Sequence, residues 1–131
     1  MADDIPAELR AFIAEHIHSV AKLEALLLLQ ENSQRSWTPG DAARAIYIAE
    51  TPTAALMLEM HASGLVVPAE SPPGSYRYEP KSEQLAHLVS ELSRFYRERR
   101  VTVITLIHSA PVDKLRTFAD AFRFTRPPKE S

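Results

Sequence analysis

Two Thr-Pro dipeptides, Thr38–Pro39 and Thr51–Pro52, each favour the start of an α-helix at that point of the chain. Threonine is a good N-cap because its side chain accepts a hydrogen bond from a backbone N–H of the first turn, and proline is tolerated at the first helical position. The pattern predicts one helix over about 39–48 and a second helix from Pro52 to about Ser63. Two capped helices separated by a few residues form a helix-turn-helix.

A strand-turn-strand pattern follows the second of these helices. Gly64 suits the left-handed conformation that commonly ends a helix. Leu65–Val67 and Tyr76–Tyr78 are rich in residues that favour strands, and the stretch Ser71–Ser75 between them contains two prolines and a glycine, as turns do. The sequence therefore predicts a hairpin here. The stretch 36–38 is also short and β-prone.

Apolar residues recur at helical spacing before this segment. The stripe from Leu9 to Leu27 predicts helical structure over about 6–31. Ser19 fits an N-cap that would divide this segment into two helices near His18–Ser19, which we favour slightly over one long helix.

A second apolar stripe follows the predicted hairpin. Ser82 fits an N-cap, and helical spacing continues from Leu85 to Ile107, which predicts one long helix. The run 101–107 is rich in β-branched residues and also fits a strand, but its continuity with the preceding period favours a helix. A final helix is predicted over about 112–123.

Length and composition fit a single domain, 1–131. The chain has 131 residues, of which 45% are hydrophobic, enough to form a core. The expected fold class is mainly α with a small β hairpin. Its parts are an N-terminal helix or helix pair (6–31), the helix-turn-helix with its hairpin (36–81), the C-terminal helices (82–123) and a loose tail (124–131).

This order of elements resembles the winged helix-turn-helix fold, in which the hairpin is the β-wing. The residues that carry the resemblance are TPGDAARAIYI, TPTAALMLEMHASGLV and SYRYEP. The junction of Leu56, Met60, Gly64 and Leu65 is similar to the end of the third helix in bacterial regulators of the MarR-like and PadR-like sort. The resemblance covers about 19–81, and the long flanking N- and C-terminal helices are similar to the dimerisation helices of such regulators.

What the resemblance implies is a cytoplasmic, DNA-binding regulator of transcription that acts as a homodimer. The apolar stripes of residues 9–27 and 85–122 are then expected to build the dimer interface. Fold alone does not establish a function, so the residues themselves have to support binding of double-stranded DNA.

The charge distribution gives that function little support. Residues 1–80 contain 5 Lys/Arg and 11 Asp/Glu, a net charge of −6, whereas residues 81–131 contain 10 and 6, a net charge of +4. Phosphate binding depends on clustered positive charge, and base readout depends on side chains that donate hydrogen bonds. The second helix of the predicted helix-turn-helix, with its cap Thr51, spans 51–63 and contains no Lys or Arg.

Two functional interpretations remain open. A DNA-binding regulator would use the few available donors and cations, which are Arg44, Thr51, Thr53, His61, Arg77 and Lys81. The alternative is a degenerate winged helix that serves as a protein-protein interaction module or adaptor with weak or no DNA binding. Its candidate partner-binding residues are Leu58, Glu59, Arg94, Arg97 and Arg100.

Each of these partner-binding sets also has a purely structural interpretation. Leu58, with Ala54 and Ala62, would pack against a neighbouring helix instead of a partner. The arginine-rich stretch 94–100 would be a solvated helix face, instead of a patch for an acidic surface or for nucleic acid.

Several function classes find no support in the sequence. There is no Cys, the five His residues show no zinc-type spacing, and the three Gly residues form no phosphate-binding loop. We therefore expect no metal, no cofactor and no enzymatic activity, although a pH-sensing role of His61 or His108 stays open. The acidic N-terminal residues do not resemble a signal peptide, and no apolar run is long enough to span a bilayer. These features predict a cytoplasmic protein without membrane association.

Overall fold

The computed structural model describes residues 5–109, which are mainly helical with a small two-stranded antiparallel sheet. The final helix predicted over 112–123 and the tail 124–131 lie outside the described residues. No helix within 5–109 is long and apolar enough to cross a membrane. The elements are α1 (Ala7–His16), α2 (Val20–Glu31), α3 (Pro39–Ile46), α4 (Glu50–Ala62), β1 (Val66–Ala69), β2 (Ser75–Tyr78), α5 (Glu83–Glu98) and α6, whose described part covers 100–109.

Three of the predicted N-caps are confirmed. Each side-chain oxygen accepts a hydrogen bond from the backbone N–H three residues later, at 3.1 Å. The cap of α2 therefore divides the N-terminal segment into two helices, as favoured from the sequence. The three caps are Ser19 for α2, Thr38 for α3 and Ser82 for α5.

The predicted start of α4 is wrong by two residues. The helix begins at Glu50 with Ala49 as N-cap, so Thr51 lies inside the helix and caps nothing. The left-handed conformation of Tyr47 (φ 64°) ends α3 and turns the chain. Ala49 is then extended, as an N-cap residue is, so the next helix begins at Glu50. Pro52 still lies in the first turn, where the backbone N–H groups lack helical partners in any case.

The single long helix predicted after Ser82 is also wrong, although the helical assignment of 101–107 is confirmed. Arg99 (φ −140°, ψ 61°) ends α5, and α6 begins at the next residue. The apolar spacing does not reveal this break, because one non-helical residue hardly disturbs the period. Val103 and Ile107 are both fully buried on α6.

The core lies where α2 contacts α3, α4 and α5, while α1 packs against α5. The stripes expected to form a dimer interface cover one another within this single chain as far as residue 107, so that part of the interface prediction is wrong. The part of that prediction that concerns residues 110–122 lies outside the described residues. The stripe side chains exposed by 7% or less are Leu9, Phe12, Ile13, Ile17, Leu23, Leu26, Leu27, Leu88, Val89, Leu92, Phe95, Val103 and Ile107.

The hairpin is joined to the segment before α3. Strands β1 and β2 are antiparallel, with Val66 opposite Tyr78 and Ala69 opposite Ser75. Trp37 forms an isolated bridge with Tyr76 of β2, through two backbone hydrogen bonds of 2.8 Å each. The β-prone stretch 36–38 therefore supplies one paired residue to the sheet.

The junction from α4 to β1 is a Schellman motif, as Gly64 led us to expect. Gly64 has φ 80°, its N–H donates to the carbonyl of His61 at 3.0 Å, and the N–H of Leu65 donates to the carbonyl of Met60 at 2.9 Å. Leu65 and Met60 are both fully buried, which adds the apolar contact typical of this motif. The junction fixes the direction in which the hairpin leaves α4.

Candidate interaction surface

The exposed side of α4 carries one row of uncharged residues. Thr51, Ala55, Leu58 and Ala62 recur at three- and four-residue steps and are all exposed, with Leu58 59% exposed. Such spacing places side chains on one face of a helix. We call this set the α4 stripe. Its only side-chain hydrogen-bonding group is the Thr51 hydroxyl, at the start of the helix.

The inward face of α4 carries apolar side chains and one threonine. Met57 and Met60 are fully buried, and Leu56 is partly buried. Thr53, a predicted DNA contact, is also fully buried, and its hydroxyl donates to the carbonyl of Ala49 at 2.8 Å. The proposed contact of Thr53 with DNA is therefore wrong, because the neighbouring helical turn already uses this hydroxyl.

We expect Thr53→Val to lower the free energy of unfolding by about 1 kcal/mol, because it removes a buried hydrogen bond at nearly constant volume. Urea denaturation followed by circular dichroism measures this change. Thr53→Ser keeps the hydroxyl and is the matched control for the hydrogen bond. An unchanged midpoint for Thr53→Val would show that this bond contributes no stability.

Two polar side chains flank the α4 stripe, and both are held by the protein. The Glu59 carboxylate accepts a hydrogen bond from Lys22 Nζ at 3.0 Å. The side chain of Lys22 is only 4% exposed, whereas that of Glu59 is 56% exposed. His61 Nδ1 lies 3.2 Å from the carbonyl oxygen of Val66, and its ring centroid lies 6.0 Å from that of Tyr76. His61 is thus tied to the hairpin.

The cations predicted to bind DNA phosphates are mostly paired with acids. Arg44 pairs with Asp41 at 2.5 Å, and Arg77 pairs with Glu79 at 2.7 Å. Lys81 packs its methylene groups close to Gly64 and remains exposed. These pairs lie at the surface, where an ion pair contributes little stability.

The arginines of α5 are held in a similar way. Arg94 pairs with Glu91 at 2.6 Å and with Glu98 at 3.4 Å, and its guanidinium lies 4.7 Å from the ring centroid of Phe95. The hydrogen bond from Arg94 lowers the pKa of Glu91. The same bond raises the pKa of Arg94. Of the two ion pairs, the i,i+4 pair of Arg94 with Glu98 is the longer.

The remaining arginines of the predicted patch face different partners. Arg97 donates to Ser93 Oγ at 3.2 Å on the same helix. Arg100 lies 3.9 Å from a carboxylate oxygen of Glu24 on α2. Leu58 and Glu59 share α4, whereas Arg94 and Arg97 lie on α5. The residues proposed as partner contacts therefore belong to separate helices.

Two features of this surface were missed from the sequence. Tyr47 is 91% exposed and is the one non-glycine residue with positive φ among the residues that the structure describes. Lys22 is buried although it is charged. Nothing in the sequence marks the first feature, because Gly or Asn would indicate a left-handed helix end and α3 ends at a tyrosine. Nothing in the sequence marks Lys22 as the partner of Glu59.

The His, Asp and Glu residues described between 5 and 109 form no group of three that could hold a metal ion. Burial raises the pKa of Tyr78 to about 12, so its hydroxyl keeps its proton at neutral pH. The exposed groups on and beside the α4 stripe are apolar side chains and carboxylates.

Comparison of the chain with protein-family models, with curated proteins and with solved structures gave no match.

Proposed function

We propose that this chain is a winged helix-turn-helix protein that acts in regulation by binding another protein through the α4 stripe. The arrangement of α3, α4 and the hairpin supports the fold, and so does the bridge between Trp37 and Tyr76. In this proposal α4 occupies the place of a recognition helix and β1–β2 the place of the wing. The protein is an adaptor or antagonist within a regulatory system.

The observation that carries the proposal is the chemistry of the α4 stripe. Recognition of a base edge needs Arg, Lys, Asn or Gln within reach, and this face presents alanines and an exposed leucine instead. Leu58 is the largest apolar side chain on it, and single exposed leucines are common on protein surfaces. What distinguishes this leucine is that the exposed residues in line with it along the helix, Thr51, Ala55 and Ala62, are all uncharged.

The flanking charges define the kind of partner. Glu50 and Glu59 are exposed on the two sides of the α4 stripe, and both carboxylates repel phosphates. A complementary surface has an apolar depression that receives Leu58, with Lys or Arg at its edge. Such charges steer association and exclude acidic partners.

A mixed-sequence DNA duplex of 30 base pairs, labelled for fluorescence anisotropy, tests the proposal against DNA binding. We expect no salt-sensitive binding at micromolar protein, because few cations are available to displace counterions. Binding that weakens from low to moderate salt, and weakens further in Arg77→Ala/Lys81→Ala, would contradict the proposal.

Photo-crosslinking from the α4 stripe tests the protein contact directly. A benzophenone amino acid at Ala62 is expected to give a crosslinked partner in extracts of the native host, and Leu58→Asp is expected to abolish that product. Because Leu58 is exposed, Leu58→Asp should change the free energy of unfolding by no more than about 0.5 kcal/mol. The same photoreactive residue at the exposed Ala11 of α1 is the control for non-specific capture.

A DNA-binding regulator is the second candidate, and one observation favours it. Arg44, Arg77 and Lys81 are at least partly exposed, and the partners of both arginines are surface carboxylates. Because exposed ion pairs are weak, a phosphate could replace Asp41 or Glu79. Such binding would position the protein on a duplex without reading its sequence.

A further inference from the structure

A groove of about 410 Å³ lies between α2, the end of α3 and α5. Its volume is within the range of small-molecule sites. Its lining combines apolar side chains with two tyrosines and two glutamates. The lining residues are Leu27, Leu28, Ala45, Ile46, Tyr47, Tyr96, Glu24 and Glu31.

Tyr47 is an unusual residue type for the backbone conformation that it adopts. It ends α3 in the left-handed region (φ 64°, ψ 44°), where Gly or Asn is usual and a bulky residue is strained. Its side chain is 91% exposed, so its ring gains almost no burial in return. An exposed aromatic ring held in a strained backbone at the edge of an apolar groove is better explained by a ligand than by packing.

The electrostatics of the groove favour a positive ligand. Glu31 is the last residue of α2 and Ile46 is the last residue of α3, so two helix C-termini, with their partial negative charge, end at the groove. Glu24 adds a second carboxylate, which accepts a hydrogen bond from the Tyr96 hydroxyl at 3.3 Å. Burial, followed by the charge of Glu24, raises the pKa of Tyr96, which keeps this hydroxyl a donor.

One cation already lies at this edge. Arg100 is 3.9 Å from Glu24, and its guanidinium is 4.8 Å from the ring centroid of Tyr96. The guanidinium of Arg100 is a positive group that contacts both a carboxylate and an aromatic face, which are the two contacts that a cationic ligand would make here. Glu31, at the end of α2, and Tyr47, at the end of α3, offer the same two kinds of group.

We propose that this groove binds a small organic cation with an apolar body. The apolar part lies on Leu27, Leu28 and Ile46, the ring of Tyr47 covers it, and the positive charge lies between Glu24 and Glu31. This inference does not rest on the proposed function, because it uses neither the α4 stripe nor DNA. A ligand here contacts the end of α3 and Tyr47, and so reaches the turn between α3 and α4.

Two probe ions of nearly the same shape and opposite charge test the proposal. Tetraphenylphosphonium is the cation and tetraphenylborate is the anion, and isothermal titration calorimetry measures the affinity of the full chain for each. We expect the cation to bind at least about tenfold more tightly than the anion, a difference of about 1.4 kcal/mol. Equal affinities, tighter binding of the anion, or no binding of the cation at millimolar concentration would overturn the proposal.

Two variants place the cation in the groove. Tyr47→Asn removes the ring and suits the left-handed conformation, so we expect about threefold to tenfold weaker binding together with a melting temperature that is about 2–4 °C higher. Glu31→Gln is expected to weaken binding of the cation and leave binding of the anion unchanged or tighter. Glu70→Gln makes the same charge change at an exposed residue outside the groove and is the control.

The paired readouts on Tyr47 separate function from structure. Weaker binding with higher thermal stability supports the proposal, because it shows a residue kept for its ligand at the expense of stability. Unchanged binding in Tyr47→Asn, or a lower melting temperature, would overturn it. The DNA and crosslinking experiments report on α4, so failure of either function there is distinguishable from failure at the groove.

Discussion

Gly64→Val is expected to lower the free energy of unfolding by about 2–4 kcal/mol, because it strains the junction between α4 and β1 in two ways. Gly64 has φ 80°, a conformation that is unfavourable for a β-branched residue. A Cβ atom at this position would also overlap the Cγ, Cδ and Cε atoms of Lys81. Chemical denaturation followed by circular dichroism measures the loss.

Two controls separate these contributions. Gly74 also has φ 80° but has open space where a Cβ would lie, so Gly74→Val measures backbone strain alone. Lys81→Ala removes the three overlapping atoms and should recover the steric part of the loss in the Gly64→Val background. Lys81 is anchored nearby because its N–H donates to the Gly64 carbonyl at 2.8 Å. If Gly64→Val and Gly74→Val are equally destabilising, the overlap with Lys81 contributes nothing.

The sequence predicted local features whose cause is local. Ser19, Thr38 and Ser82 were recognised as caps because a cap depends on a hydroxyl and the backbone of the next turn. Gly64 was recognised because a left-handed residue is needed where a helix meets a strand. The start of α4 was misplaced because Thr51–Pro52 imitates a capped start, while the left-handed turn at Tyr47 begins the helix earlier.

The features that could not be predicted depend on contacts between distant residues. Thr53 was assigned to DNA contact because helical spacing alone does not decide whether it faces the core, where the structure places it with Met57 and Met60. The apolar stripes of the flanking helices were visible in the sequence. Whether they cover a second copy or one another is decided by how α1 and α2 pack on α5, which spacing does not specify. The predicted dimer interface assumed that the stripes cover a second copy of the chain. Up to residue 107 they cover one another within one chain.

The surface also shows why a resemblance in connectivity does not carry the chemistry of recognition. Helix α4 follows a helix and precedes a hairpin, as a recognition helix would. Its outward face nevertheless lacks long hydrogen-bond donors, and Arg44 and Arg77 already bind carboxylates. The proposal of a protein partner follows from those side chains.

Lys22 and Glu59 are expected to respond very differently to substitution. Glu59→Ala should lower the free energy of unfolding by about 2 kcal/mol, because it leaves the buried ammonium of Lys22 without its carboxylate. Removing one partner of a fully buried pair commonly costs about 3–5 kcal/mol, and the half-exposed position of Glu59 reduces that value since water can reach the ammonium from that side. Lys22→Met should be neutral or stabilising, because methionine fills a similar volume without a charge that must be desolvated.

The double variant Lys22→Met/Glu59→Ala closes the cycle and should be much closer to the wild-type stability than Glu59→Ala alone. Glu70→Ala, which removes an exposed carboxylate of the hairpin, is the control for the change in net charge. If Glu59→Ala is as harmless as Glu70→Ala, the pair contributes no stability. The expected result bears on function. If Lys22 needs Glu59 for stability, Glu59 is present beside Leu58 for a structural reason, whether or not a partner binds it. In that case Leu58→Asp, rather than a substitution of Glu59, is the variant that probes partner binding without disturbing the fold.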